Sequence, residues 1–315
     1  MTPIITTTHL GRRYGDTWAL RDLNLSIDEG SIFGLLGANG AGKTTTLRIL
    51  TTSLAPSAGR ACVGGSDVAT HPRRVRRVLG YMPDSFGVYD DLTVLEYLDF
   101  YATAHGVGRG GRRQLLDDLL SIVGLTDRRS SFVDVLSRGM KQRLGIARCL
   151  VHDPPILLLD EPASGLDPLA RMEMQTLLRE LSQMGKTVVI SSHILPELGD
   201  ICTHAAIVHG GCLLLQGSVA ELLAEPSLSG PLQIRLVDEL SARLAVETLR
   251  RQPAVTGITV NGAALDVQAA GGPEVDADLF VLLGRAGCRV LRYGRRPVSL
   301  EDVYFAAVRS SMEAA

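Results

Sequence analysis

Ile32-Phe33-Gly34-Leu35-Leu36-Gly37-Ala38-Asn39-Gly40-Ala41-Gly42-Lys43-Thr44-Thr45 is the stretch on which the fold turns. Its first five residues form a short apolar run, the pattern of a strand buried on both faces. The next eight fit GxxxxGK[ST], and from about Thr44 to Leu54 the spacing predicts a helix. Glycines let such a loop curl so that successive N–H groups point inward at an anion, and the helix N-terminus adds positive potential. Lys43 then reaches the outer phosphates of a nucleotide, and the Thr44 hydroxyl suits Mg2+. Gly37, Asn39, Gly40, Ala41, Gly42, Lys43, Thr44 and Thr45 are therefore candidate nucleotide-binding residues. Only three of the 32 basic residues are lysines (Lys43, Lys141 and Lys186). A lysine in this chain is informative where its chemistry differs from that of arginine.

Outward from that loop, Ile156-Leu157-Leu158-Leu159-Asp160 and Thr187-Val188-Val189-Ile190-Ser191 read as further buried strands. The first two-thirds alternates strands with helices, which predicts an α/β fold with a mainly parallel sheet. Asp160, at the exit of its strand, is placed to hold Mg2+ through water, and Glu161 to orient and deprotonate an attacking water. Residues from about 85 to 155 have helical spacing and read as a helical insertion, with an exposed Gly-rich loop from Gly106 to Gly111. The Arg73, Arg74 and Val75–Arg77 cluster is a solvated basic face or a phospholipid headgroup contact.

A composition break over 224–231 predicts a linker between a domain spanning 1–223 and a smaller one spanning 232–315. The smaller part reads as strand (Leu232–Val237), helix (Ser241–Arg251), strand (Val255–Val260), strand (Ala263–Val267), helix (Val275–Ala286) and strand (Cys288–Tyr293). That βαββαβ order is ferredoxin-like. Ser299 and Asp302 form a capping box for a last helix.

Composition removes several classes. The chain has 315 residues, 45% hydrophobic and 21% charged, which excludes disorder and collagen-like structure. A net charge of −2 gives no footing for a general nucleic-acid binder. Five scattered cysteines, none in a CxxC pair, suit a reducing compartment rather than a disulfide framework or zinc ribbon. The first residues lack a basic and apolar leader, and no apolar run reaches the roughly 18–20 residues needed to span a bilayer. The expectation is a soluble chain whose membrane role, if any, runs through a partner.

Gly37–Thr44, Leu136-Ser137-Arg138-Gly139-Met140, Leu158–Pro162, Ser164-Gly165-Leu166-Asp167-Pro168 and Ser191-Ser192-His193 follow the order seen in ATP-binding cassette (ABC) ATPases. The resemblance covers roughly residues 4–220, and the extension to about 308 resembles that of daunorubicin-resistance, ABC-2 type exporters. It implies a P-loop ABC-ATPase core with an antiparallel β subdomain and a helical subdomain, plus a small α+β C-terminal domain. It implies ATP and Mg2+ as cofactors, Tyr14 stacking on adenine, and His193 bonded to the γ-phosphate and the attacking water. Ser137 and the N–H groups after it, Gly139 included, would bind ATP held by a second subunit, with Asp167 at that interface.

A homodimer, an ABC-2 type membrane-spanning subunit and a cytoplasmic place on the inner face of the membrane are implied, with no nucleic acid. Non-transport ABC ATPases and a regulatory cassette are the alternatives. The chain departs from the family pattern at Arg138, Met140 and Asp84. Asp84 stands where the family has Gln, and is either a Mg2+-side ligand or a solvated acid that meets the partner. The C-terminal domain is left open between dimerisation, a ligand-operated brake and a cap.

Overall fold

The computed structural model describes residues 3–313 apart from 86, 88–90, 195–198 and 225–229. Most of the expected linker, 224–231, lies outside the described residues. The chain divides into two compact units, one of residues up to Ala220 with those from Ala307 onward, the other Glu221–Ala306.

In the first unit, β1 (Pro3–Tyr14), β2 (Thr17–Leu23), β3 (Ser26–Asp28), β5 (Ala58–Val63) and β6 (Ser66–Asp67) form an antiparallel sheet in the order β2-β1-β5-β6, with β3 also paired to β1. A second sheet holds β4 (Ile32–Leu36), β7 (Leu79–Met82), β8 (Ile156–Asp160), β9 (Thr187–Ser192), β10 (His204–His209) and β11 (Cys212–Ser218), in the order β11-β10-β4-β9-β8-β7. The five strands from β10 to β7 run parallel, and β11 is antiparallel at the edge. Every residue of β4, β8 and β9 is buried, as expected of parallel strands covered on both faces. Because β9 lies between β4 and β8, the carboxyl ends of all three converge, and such ends are where open α/β sheets bind ligands.

Helix α1 (Lys43–Leu50) is shorter than its sequence suggested. Thr52 turns left-handed at φ 62°, and the N–H groups of Thr52 and Ser53 bond back to the carbonyls of Ile49 and Arg48. This reciprocal pair is a Schellman ending, made here without glycine. Helix α2 (Pro72–Arg77) buries Val75 and leaves its arginines exposed. The expected helical insertion contains α3 (Val94–Ala104), α4 (Arg112–Ile122) and α5 (Arg138–Leu150). Helix α3 starts on a full capping box, Thr93 with Glu96, and packs against α4 and α5 through Tyr97, Leu98 and Ala102, all with no exposed surface. Helix α6 (Pro168–Gln183) follows the β8 loop, and α7 (Val219–Leu223) is a short turn.

The second unit contains β12 (Leu232–Leu236), α8 (Glu239–Arg250), β13 (Val255–Asn261), β14 (Ala264–Ala269), α9 (Pro273–Arg285) and β15 (Val290–Arg295). The sheet order β13-β14-β12-β15, with every neighbour antiparallel, is the split βαβ arrangement. Helix α8 begins two residues earlier than its spacing predicted, because the Asp238 carboxylate accepts the Ser241 N–H at 2.7 Å. Helix α9 likewise begins early, with Pro273 in its first turn, and β15 runs two residues later than expected. The last helix, α10 (Leu300–Glu313), starts on the Ser299–Asp302 box: Ser299 N–H donates to Asp302 at 2.8 Å.

Candidate functional site

Glycine is required at two points of the loop after β4. A Cβ at Gly37 would lie 2.4 Å from the Val208 carbonyl oxygen, so the strand-to-loop junction has no room for one. Gly42 sits at φ 109°, where a Cβ would also strike Leu20 at 2.6 Å. Between them the loop wraps the Lys43 ammonium, which donates to the carbonyls of Gly37 at 2.7 Å and Ala38 at 3.2 Å. Lys43 is 6% exposed. Burial pulls its pKa below the usual lysine range, while Glu161 and Asp160 oppose the shift.

The exit of β8 supplies the acids. Asp160 is 1% exposed. Its Oδ1 accepts from the hydroxyls of Ser191 at 2.5 Å and Thr44 at 3.3 Å, while Oδ2 is buried with no hydrogen-bond partner. Glu161 takes a left-handed backbone, φ 53°, a conformation costing a non-glycine residue of order 1–3 kcal/mol. Its N–H is shared between the Ser191 hydroxyl at 3.0 Å and the Ser191 carbonyl at 3.2 Å. The turned backbone places its carboxylate between two partners: Lys43 Nζ is 3.6 Å from Oε1, and His193 Nδ1 is 2.7 Å from Oε2.

These groups face a cleft of about 300 Å³. Asn39, Gly40, Ala41, Gly42, Lys43, Thr44 and Thr45 of the loop line it together with Asp84, Glu161, Ser164 and His193. Gly37 contributes its carbonyl to Lys43, and Asp160 lies beneath Thr44. The orphaned Asp160 oxygen and the Thr44 hydroxyl are the donor set a hard dication takes. Among the described residues no three His, Cys, Asp or Glu cluster as a complete metal cage.

The same chain does not bring Tyr14, Ser137, Gly139 or Asp167 into the cleft. Tyr14, at the end of β1, is exposed with the Arg12 guanidinium 4.8 Å from its ring centre. Ser137 caps α5 by accepting the Met140 N–H at 3.3 Å, and Asp167 caps α6 by accepting the Ala170 N–H at 2.9 Å. These two helix starts lie together: a Cβ on Gly139 would be 3.1 Å from Ala170, and one on Gly165 would be 2.8 Å from the Arg138 guanidinium. Arg138, where the family pattern has glycine, thus covers the Gly165 turn.

Sequence reasoning overlooked Ser164 and Ser191. Ser164 begins the Ser164–Pro168 motif but lacks a titratable group to single it out. Ser191 could have been found from its place two residues before His193 on a strand bound for the same sheet edge. Larger open clefts of about 470 and 620 Å³, beside α8 and between α3 and α4, gather no comparable set of acid, lysine and backbone donors.

Residues 20–164 match the family model for the ABC transporter. The Nod factor export ATP-binding protein I of Ralstonia nicotianae is 34% identical over 303 residues, which is 96% of this chain and 93% of that protein. The bacitracin transport ATP-binding protein BcrA of Bacillus licheniformis is 40% identical over 215 residues, 68% of this chain and 69% of that protein. A solved ATP-binding subunit of an ABC transporter superposes with a TM-score of 0.64 at 31% identity, over 70% of this chain and 92% of its own. The cbiO1 protein of Clostridium perfringens, part of the transporter complex cbiONQ, gives 0.65 at 26% identity, over 80% and 97%.

Proposed function

Because this chain belongs to the ABC transporter family as an ATP-binding subunit with ATPase activity, we propose that it powers an ABC-2 type exporter as a homodimer that grips ATP between partner copies. Its membrane-spanning partner is a separate chain; no described helix here is long and apolar enough to cross a membrane. The names of its relatives, Nod factor export and bacitracin transport, support export.

The observation that carries this reading is the placement of Glu161 between Lys43 and His193 at the mouth of the phosphate-loop cleft. Loop N–H groups and Lys43 bind the phosphates, a purely electrostatic and positional task. Glu161 orients the attacking water and accepts its proton, and His193 holds the Glu161 carboxylate and bonds the γ-phosphate. Thr44, Asp160 through water, and Asp84 would hold Mg2+, which neutralises charge developing on the phosphate oxygens. Tyr14 stacks on adenine.

Ser137, Gly139 and Asp167 lie outside their own chain's cleft, which supports their acting on nucleotide held by the partner copy. Moving an open–closed equilibrium from 1:99 to 99:1 needs about 5.5 kcal/mol of differential binding. Two γ-phosphates, each with several charge-assisted bonds worth about 1.5–3 kcal/mol, supply it.

Glu161→Gln tests the assignment. Turnover falls by about 10²-fold or more while ATP binding persists, and an ATP-bound dimer accumulates in light scattering of the gel-filtered protein. Turnover at the parent rate would remove Glu161 from the base role. Ser137→Arg added to that variant is expected to leave ATP bound to monomers; an undiminished dimer would sink the sandwich.

A further inference from the structure

We propose that Arg148 is a positioning residue for Asp84, tying the end of the α5 helix to the strand whose exit carries that carboxylate into the cleft. Arg148 lies in the last turn of α5, the helix that Ser137 caps. Its Nη2 donates to the carbonyl of Tyr81 at 3.3 Å and its Nη1 to the phenol of Tyr97 at 3.5 Å. Its guanidinium carbon lies 5.2 Å from the centre of the Tyr101 ring, in cation–π range. One side chain therefore joins β7 to α3 and α5. Tyr97 and Tyr101 pack at 5.0 Å between ring centres, so the α3 half of the grip is itself fixed.

Tyr81 is the link to the site. It pairs in register with Leu158, two residues before Asp160, and its main chain continues through Met82 and Pro83 to Asp84. Met82 is fully buried, and Pro83 fixes its own φ, so a displacement of the Tyr81 peptide is passed on to Asp84 with little slack. Asp84 itself is exposed and lines the same cleft as the phosphate loop. No nearer group holds it: among the described residues its carboxylate makes no hydrogen bond or ion pair. The planar guanidinium can serve the carbonyl, the phenol and the ring face together. A lysine ammonium, as a point charge, cannot hold that fork.

The inference rests on Asp84 acting in ATP turnover, as proposed above. Under that reading α5 is a rigid rod of about 20 Å at 1.5 Å per residue. One end meets the partner's nucleotide through Ser137, and the other sets Asp84 through Arg148.

The test is a double-mutant cycle on the full chain, reading ATP turnover against ATP concentration at saturating Mg2+. Asp84→Ala and Arg148→Gln are each expected to lower kcat about 10-fold or more with KM changed less than about 2-fold, and the double variant to be no worse than either single one. Arg148→Lys keeps the half-buried positive charge and is expected to lose at least about 3-fold in kcat. Its loss should vanish in the Asp84→Ala background, so it carries the test should Arg148→Gln not fold. If Asp84→Ala lowers kcat but the Arg148 losses multiply with it, the positioning role is overturned and the Asp84 reading stands. If Asp84→Ala is silent, both fall.

Discussion

The Ser191 hydroxyl serves both acids of the cleft: it donates to Asp160 at 2.5 Å and accepts the Glu161 N–H at 3.0 Å. Ser191 has no exposed surface, so no water replaces that oxygen when it is removed. Ser191→Ala leaves a buried carboxylate short of a donor, while the Glu161 N–H keeps its backbone partner. A loss of about 1–3 kcal/mol is expected in denaturant unfolding, together with a higher Mg2+ requirement for turnover. Unchanged stability and unchanged Mg2+ dependence would show that Asp160 is held by other means. The chemistry of Lys43, Asp160 and Glu161 was legible because a phosphate loop and an acidic strand exit demand those residue types at those spacings. The part played by Ser191 was not. A serine hydroxyl gains that role only when β9 comes to lie between β4 and β8, and pairing order is not written in any one segment.

At the scale of elements, the last helix was legible from its side-chain cap, Ser299 with Asp302, whereas the Asp238 cap of α8 was passed over because the apolar spacing begins only after it. The end of α1 was missed because the backbone alone makes it, at Thr52. A contact between elements was also hidden. His105, after α3, stacks on His152, after α5, with ring centres 4.0 Å apart and planes 7° apart. Burial lowers the pKa of both, with Arg148 adding to the effect at His105 and His105 and Lys186 at His152; the Leu79 carbonyl and Asp153 pull the other way at His152. Each folded-state value lies below the unfolded one, so the neutral pair stabilises the fold fully above the unfolded pKa of 6.5. That stability is lost as pH falls from there through the folded values. Thermal stability is expected to fall between about pH 7 and 5, and His105→Gln with His152→Gln to flatten that slope. A slope identical in the double variant would assign the acid sensitivity elsewhere.

For the whole molecule the decisive feature is that each compact unit closes over its own core. One centres on residues such as Ile5, Phe33, Leu47 and Leu158, the other on Leu232, Ile234, Leu249 and Val267. The second unit has its own bolt. Arg295 grips Asp276 with two bonds at 2.6 and 2.8 Å and also donates to the carbonyls of Gly230, Ala269 and Gly271. Separate cores predict two calorimetric transitions rather than one. In Glu161→Gln, which does not consume its ligand, ATP at about 100 times its Kd stabilises only the state that binds it, by about 2.7 kcal/mol. For a unit of the first one's size this raises its transition by about 5–10 °C. Arg295→Ala, which strands Asp276 in a half-buried site, costs about 1–3 kcal/mol and is expected to lower the other transition alone. A single transition that moves as one under both perturbations would mean that the units fold as one cooperative body. ATP bound at the phosphate loop would then be felt energetically through to β15.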